Sequence, residues 1–485
     1  MSRIIIQNGN MCELDLPLKF AQKLYNEFAI RHPNAFYLRT RQRGMQNWDG
    51  KIHYITKTGQ FKIGLLPKVY DMCIEMGIKP KVVDMRQPLP KVSKVVTNIG
   101  KYKLRPEQEK AVKSVINNRV GDTPFHIGVL DYTVNAGKTL IMSSLYLTYK
   151  KQLKTLLITN DSDWLNQARE EFKQYLPGED ITFVQGKVLN WSNFTIGMVQ
   201  SISRNMRFYQ KELSQIDMVL VDEADQGGSK QYQNVITRLF NTRIRIGLSG
   251  TIYMSKLAKD KVKNMNLECF FGKVIAEFKL KDSIKKGYST KTIVKMVPGK
   301  PWYGNWESDC ISYKEIYDDS ITENNTAWTM AYNRLRWNIN QGRYPALVVC
   351  KHIAHCENLY KFFKKKLGDV YNIAYVHVNT PSKLRQQIMR DFREGKIDIL
   401  VSTTIIARGK NFPKLRYLLN AASMDSQEKS IQFLGRLVRT DKSKKKVYLD
   451  DLHYPGPYLD RHGKHRKQYY QRQELKVILL DKLWK

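Results

Sequence analysis

The sequence predicts an α/β protein made of two doubly wound parallel-sheet units in tandem, preceded by a smaller α/β domain. Three observations predict it. An apolar run, Phe125–Leu130, passes through a short loop ending Gly137-Lys138-Thr139 into a packed helical stretch, Leu140–Leu147. A second apolar run, Met218–Val221, leads directly into Asp222-Glu223-Ala224-Asp225. Beyond residue 290 the same strand-and-helix style returns without a phosphate loop and ends in Gln432-Phe433-Leu434-Gly435-Arg436-Leu437-Val438-Arg439. The expected domains are 1–95, a small α/β unit; 96–285, a nucleotide-binding lobe; and 286–485, a second lobe with a basic tail.

Length and charge bound the functions available. A chain of 485 residues with 42% hydrophobic content supports two or three cored domains. Its 81 Lys+Arg against 45 Asp+Glu leave a net charge of +36, which points to a polyanionic partner, nucleic acid before an anionic membrane surface. The 6 cysteines include no Cys-x-x-Cys pair, which argues against a zinc site or a disulfide framework and fits a reducing compartment. No apolar run approaches the roughly 18 residues of a membrane-spanning helix, and the N-terminus lacks a signal-peptide pattern. The protein is therefore read as cytosolic.

In the first domain, Arg3–Gln7 and Glu13–Leu16 read as strands, and Leu18–Ile30 and Leu65–Met76 as helices. Between them lies a basic aromatic stretch, Phe36-Tyr37-Leu38-Arg39-Thr40-Arg41-Gln42-Arg43, followed by Trp48 and a hairpin at Lys51–Ile55. Arg39, Arg41 and Arg43 suit a phosphate backbone, and Trp48 is either a stacking surface for a base or part of the core. Residues 86–103 read as a linker.

The second domain opens with Leu104-Arg105-Pro106-Glu107-Gln108 and a helix to Asn118. Backbone N–H groups of Asn135, Ala136 and Gly137 at a helix N-terminus suit a phosphate chain. Lys138 then reaches the outer phosphates, and the Thr139 hydroxyl is placed to ligate Mg²⁺. Tyr132 stands where the usual motif has its first glycine. Thr155–Thr159, Phe194–Val199, Met218–Val221 and the strand leading to Ser249-Gly250-Thr251 alternate with helices, which implies a parallel sheet. Asp222 at a strand's carboxyl end can complete the Mg²⁺ shell, and Glu223 can polarise the attacking water.

In the third domain, residues 300–325 read as loop, Thr326–Ile339 as a helix, and Ala346–Cys350, Tyr375–His377 and Ile399–Thr403 as strands. Arg436 and Arg439 at i and i+3 are expected on one helix face, where guanidinium forks stabilise charge on a γ-phosphoryl group. The tail, 441–485, is basic; Gln468–Trp484 has helical spacing with Leu475, Ile478, Leu479 and Leu483 on an apolar face packed against a lobe. The cluster Arg461–Lys467 is a solvated face or a DNA contact, and His462 with His465 lacks the further ligands of a metal site.

Together and in order, these segments resemble the motor core of superfamily 2 helicases. Leu104–Gln108 resembles the adenine-reading Q motif, Thr133–Thr139 motif I, Asn160–Gln167 motif Ia, and Met198–Ser201 motif Ic. Asp222–Asp225 is similar to motif II, Ser249–Thr251 to motif III, Val349–His352 to motif IV, Thr403–Pro413 to motif V, and Gln432–Arg439 to motif VI. The resemblance implies two RecA-like lobes using ATP and Mg²⁺, with Arg105, Gln108, Gly409 and Gln432 joining the phosphate loop in holding nucleotide. It also implies nucleic-acid contacts near Gln200, Thr251, Lys351, His352 and Thr403. Asn47–Ile52, Gly64-Leu65-Leu66, Lys351–His355 and Asp460–Arg466 resemble the phage UvsW-type family more than DEAD-box RNA helicases, which carry Ser-Ala-Thr and His-Arg-Ile-Gly-Arg. Departures are Thr133, Val134 and Asn135 in place of Pro-Thr-Gly, and Lys410 in place of an apolar residue. The UvsW-type resemblance implies branched DNA as partner, bound through its backbone with little sequence preference. An RNA-directed helicase, a duplex translocase, or a nucleic-acid scaffold with a vestigial ATPase remain the alternatives.

Overall fold

The computed structural model describes residues 2–41, 44–150, 152–160, 162–188, 191–252, 260–299, 312–407, 412–441 and 443–480. The chain folds as two compact units, Met1–Tyr132 with Gly137–Phe278, and Lys279–Lys485 with Thr133–Ala136.

The first unit holds two main sheets, one of four strands and one of seven, beside three two-stranded ribbons. The smaller has the order Gln60–Lys62, Met11–Asp15, Arg3–Ile6, Lys81–Asp84. Its period-two pattern turns Ile4, Ile6, Cys12 and Leu14 inward. The larger is all parallel, in the order Ile181–Val184, Phe194–Met198, Thr155–Thr159, Met218–Asp222, Ile244–Ser249, Ile127–Tyr132, Val274–Phe278. Its central strands are buried along their whole length because helices cover both faces, which is why they read as continuous apolar runs.

The two sheets share one continuous core. Close backbone approach joins them: a β-carbon at Gly9 would lie 2.6–2.9 Å from the carbonyls of Leu239, Phe240 and Thr242, and one at Gly64 would overlap those of Glu268 and Cys269. Arg245 is fully buried at this seam and donates to the Gly9 carbonyl (2.6 Å), the Asn10 Oδ1 (2.8 Å) and the Phe270 carbonyl (3.1 Å). The stretch read as helix to Ile30 ends at Glu27, and Ala29–Arg31 pairs with Lys51–His53 instead. The basic aromatic stretch is itself a short helix, Ala35–Arg41.

The second unit is a parallel sheet in the order Ile373–Val376, Ile399–Thr403, Ala346–Cys350, Tyr417–Asn420, Lys446–His453, Lys291–Pro298, Val477–Leu479. Adjacent carboxylates on Lys446–His453 point to opposite faces, and each meets a buried arginine. Asp450 accepts from Arg334 Nη2 (2.6 Å), Asn338 and Tyr417. Asp451 accepts from Arg466 Nη2 (2.8 Å), Asn420 and Tyr470.

That second cluster corrects the reading of the tail. The helix is Leu459–Arg472, and the residues beyond it form an edge strand pairing Val477–Leu479 with Val294–Met296. Two β-branched residues in succession, Val477 and Ile478, suit a strand better than a helix. Leu483 lies outside the described residues. Of residues 300–325, 300–311 lie outside the described residues, and 313–322 are helical and not loop: Ser312 and Glu315 form a capping box that starts a helix, Tyr313–Tyr317, continued by a wider turn, Asp318–Thr322. Among the described residues no helix is long and apolar enough to cross a membrane.

Candidate functional site

The phosphate loop follows the strand Ile127–Tyr132. Tyr132, in the slot of the missing glycine, is the last residue of that strand; its ring is buried and its hydroxyl donates to the Glu107 carbonyl (2.8 Å). The loop turns through two left-handed residues, Asn135 (φ 64°) and Gly137 (φ 72°), before the helix Lys138–Thr148. Asparagine tolerates that conformation better than most side chains, which accounts for Asn135 where glycine is usual. Alternating backbone handedness of this kind turns successive N–H groups inward as an anion-binding nest. Ala136 is buried, and Lys138 and Thr139 are half-buried at the first turn of the helix.

Gln108 stands beside this loop. Its Oε1 accepts from the Arg105 backbone N–H (2.8 Å) at the start of the helix Pro106–Ile116, and its Nε2 lies where a β-carbon on Gly137 would fall. Arg105 pairs with Glu107 (3.4 Å), and one of its terminal nitrogens would be 3.1 Å from the same β-carbon. The predicted adenine-reading pair and the phosphate loop are therefore contiguous.

The acidic quartet lies two strands away. Strand Met218–Asp222 is separated from Ile127–Tyr132 by Ile244–Ser249, with Asp222 opposite Leu248 and Asp131 opposite Ser249. Carboxylate, hydroxyl and phosphate loop thus share the carboxyl-end edge of one parallel sheet, where such folds bind ligands. Asp222 is buried, and Glu223 adopts φ 52°, ψ 50°. Left-handed backbone at a non-glycine residue stores strain that concentrates at functional sites. The turn is held from below by Gly247, where a β-carbon would come within 2.7 Å of the Ala224 side chain. Thr139 and Asp222 offer hard oxygen donors of the kind Mg²⁺ takes alongside phosphate and water. Among the described residues no group of three or more His, Cys, Asp or Glu is arranged for a metal, so an all-protein metal cage is not what this edge provides.

Hydrogen bonds run along the same edge. Ser249 donates to Asp225 Oδ1 (2.7 Å) and accepts from the Thr251 N–H (3.1 Å). Gln200, in the helix Val199–Arg204, donates to the Asn160 carbonyl (3.3 Å), and the Asn160 amide donates to Gln226. Gln200 and Thr251 are thereby tied to the residues flanking the acidic quartet. Gln226 was not singled out from the sequence, although it directly follows that quartet.

In the second unit, Arg436 lies in the last turn of the helix Gln427–Leu437, which also carries Gln432. Arg439 lies beyond its end, so the two arginines do not share a helix face. The helix stops because Thr290 captures the carbonyls of Val438 (N–H, 2.8 Å) and Arg439 (hydroxyl, 3.2 Å). Thr403 is buried at the end of its strand. Lys351 sits over the rings of Tyr313 (3.9 Å) and Tyr317 (4.9 Å), and burial lowers its pKa. His352 meets Tyr317 edge-on (4.9 Å), and its pKa is lowered by burial first and by Lys351 second. Gly409 lies outside the described residues, as does Arg43.

In the small domain, Arg39 is exposed and its Nε donates to the Trp48 carbonyl (2.8 Å). Arg41 stacks on Tyr37 (4.6 Å). Trp48 is half-buried, with its indole N–H donated to the Lys51 carbonyl (2.9 Å), so its ring is neither core nor fully presented.

A parallel sheet with a phosphate loop at one strand and an acidic quartet two strands over defines the nucleotide-binding core of a P-loop motor protein. Residues 101–254 match the family described as type III restriction enzyme, res subunit, and residues 331–441 match the helicase conserved C-terminal domain. The chain belongs to the superfamily 2 helicases. It is similar to the ATP-dependent DNA helicase uvsW of Enterobacteria phage T4, 22% identical over 436 residues, covering 84% of this chain and 82% of that protein. A protein of Sulfolobus islandicus filamentous virus named helicase 22 is 22% identical over 383 residues, 73% of this chain. The chain spans 64% of that relative's length. Among solved structures, the type ISP restriction-modification enzyme LlaBIII bound to DNA matches with a TM-score of 0.57 at 13% identity, over 84% of this chain and 34% of that one. Dbp5 of S. cerevisiae bound to RNA and ADP BeF3 matches at 0.51 and 14% identity, over 78% of this chain and 90% of that one. These likenesses extend to the fold.

Proposed function

We propose that the protein is an ATP-driven motor that unwinds or branch-migrates branched DNA: forks, four-way junctions, D-loops and R-loops. The observation that carries the ATPase part is the shared sheet edge, which brings together Gln108, the Gly137-Lys138-Thr139 turn and Asp222-Glu223. Gln108 and Arg105 flank the base, while the N–H groups of Asn135, Ala136 and Gly137 and the Lys138 ammonium bind the phosphates. Thr139 and Asp222 are the residues to hold Mg²⁺, which supplies charge neutralisation on the outer phosphates. Glu223, fixed by its own strained backbone, orients the attacking water and accepts its proton. Arg436 and Arg439 of the second unit are the candidates to stabilise charge developing on the transferred phosphoryl group.

The DNA part is supported by the net charge of +36 and by the similarity to the phage DNA helicase. Gln200 reaches Gln226 through Asn160, and Thr251 reaches Asp225 through Ser249, so two hydrogen-bond relays link the acidic turn to the residues assigned to the strand. Lys351, His352, Thr403, Arg39, Arg41 and Arg43 extend the contact as backbone-binding groups, which gives little sequence preference. A cytosolic setting accords with the free, buried cysteines among the described residues. The test is a labelled four-way junction incubated with ATP and Mg²⁺. ATP-dependent conversion to forked products is expected, and conversion of RNA duplexes alone would reassign the motor to RNA.

A further inference from the structure

The carboxyl-end edge of the second unit's sheet carries an aromatic cluster that none of the helicase motifs accounts for. Tyr458 lies in the turn between the strand Lys446–His453 and the helix Leu459–Arg472. It is 41% exposed and holds φ 60°, ψ −49°, a conformation costly for any residue with a β-carbon. The turn is fixed from both sides: His453 Nε2 bonds the Asp460 carbonyl (3.2 Å) and carboxylate (3.1 Å), and Gly463 packs directly on the His453 ring. An outward-facing ring on a strained, anchored turn is the arrangement expected when presentation of that ring is what the turn serves.

The surroundings say what the ring meets. The Tyr313 ring abuts Tyr458 edge-on (5.7 Å, 70°) and has Lys351 over its face (3.9 Å). On the other side, the Arg461 guanidinium lies 5.8 Å from the Tyr458 ring. The row therefore runs cation, ring, ring, cation. Lys351 directly follows the strand Ala346–Cys350, at the same sheet edge. Of the neighbouring carboxylates, Asp460 is paired with Lys464 and His453 and Asp425 with His465 (2.9 Å), while Asp318 acts on Lys351 electrostatically. Aromatic faces flanked by cations suit a base with adjoining phosphates, the combination by which single strands are held without sequence preference.

We propose that Tyr458 is a base-stacking platform for single-stranded nucleic acid, braced by Tyr313, with Lys351 and Arg461 on the adjoining phosphates. This rests on the nucleic-acid motor reading above and adds a contact outside its motifs. It predicts that the second unit grips bases as well as backbone.

The test measures binding of an oligo-dT and an all-abasic strand of the same length, by fluorescence anisotropy, in wild type, Tyr458→Gly and Tyr458→Phe. Glycine tolerates the positive φ, so Tyr458→Gly removes the ring while relieving strain, and its melting temperature is expected to equal or exceed that of wild type. Wild type and Tyr458→Phe should prefer oligo-dT over the abasic strand, and Tyr458→Gly should lose roughly 5- to 150-fold in oligo-dT affinity with the abasic affinity unchanged. A folded Tyr458→Gly that keeps the wild-type preference overturns the platform and leaves the motor reading intact. Wild type that binds neither strand overturns the motor reading and the platform with it.

Discussion

Arg466 provides a quantitative test of the tail, because the sequence placed it in a basic cluster open to solvent or DNA, whereas the structure buries it completely. Its Nε and Nη2 donate to Asp451 (3.0 and 2.8 Å), and its remaining donors reach the carbonyls of Met424 (2.9 Å) and Leu452 (3.0 Å). Arg466→Met fills much of the same volume but leaves Asp451 with only the neutral donors Asn420 and Tyr470. Removing one partner of a buried pair costs about 3–5 kcal/mol, since the charge left behind has no counter-ion and little water. For a unit of this size, that corresponds to a fall in Tm of about 6–20 °C. Differential scanning calorimetry should show the fall in the transition that includes the second unit. Adding Asp451→Asn removes the orphaned charge while keeping an acceptor for Tyr470, so the double variant should recover at least half of the loss. A shift of under about 2 °C for Arg466→Met, or a double variant less stable than the single, would refute the assignment of Arg466 as a structural cation.

Further outcomes follow from the same geometry. Gly137→Ala should abolish nucleotide binding measured by calorimetry without unfolding the first unit, because the added β-carbon meets the Gln108 amide at a residue with φ 72°. Gln108→Ala removes the acceptor of the Arg105 backbone N–H and should erode preference for ATP over GTP in competition binding. Burial lowers the pKa of His462 from 6.5 to about 4, opposed by Asp425, and lowers that of His355 to about 3. Both histidines take up protons more readily unfolded, so their contribution is fully present above pH 6.5 and is lost as the pH falls from about 6.5 towards 4 and 3. His462→Phe should flatten the upper part of that stability profile; an unchanged profile would count against a buried neutral imidazole.

The nucleotide-binding edge was legible because its chemistry is local. A strand, a tight loop and a helix are contiguous in sequence, and Asp222-Glu223 directly follow an apolar strand. The strands Thr155–Thr159, Ala346–Cys350 and Ile399–Thr403 were legible to the residue, being buried on both faces. What escaped depends on distant partners. Asp450 and Asp451 within a strand look polar until Arg334 and Arg466 arrive on opposite faces. Arg439 looked helical because nothing near it in sequence reveals Thr290. Likewise Arg245 reads as a polar interruption of an apolar strand, and only the fold supplies the Gly9 carbonyl and Asn10 side chain that satisfy it.

The proposed function requires that ATP hydrolysis be coupled to nucleic acid through Glu223. The most direct measurement is steady-state ATP hydrolysis by wild type and Glu223→Gln, without nucleic acid and then with single-stranded DNA, a fork, a four-way junction and matched RNA. In wild type, hydrolysis should be stimulated most by the branched DNAs, and in Glu223→Gln it should fall by at least about 10²-fold with ATP binding retained. Hydrolysis that ignores every nucleic acid, or that survives Glu223→Gln, would rule out that coupling.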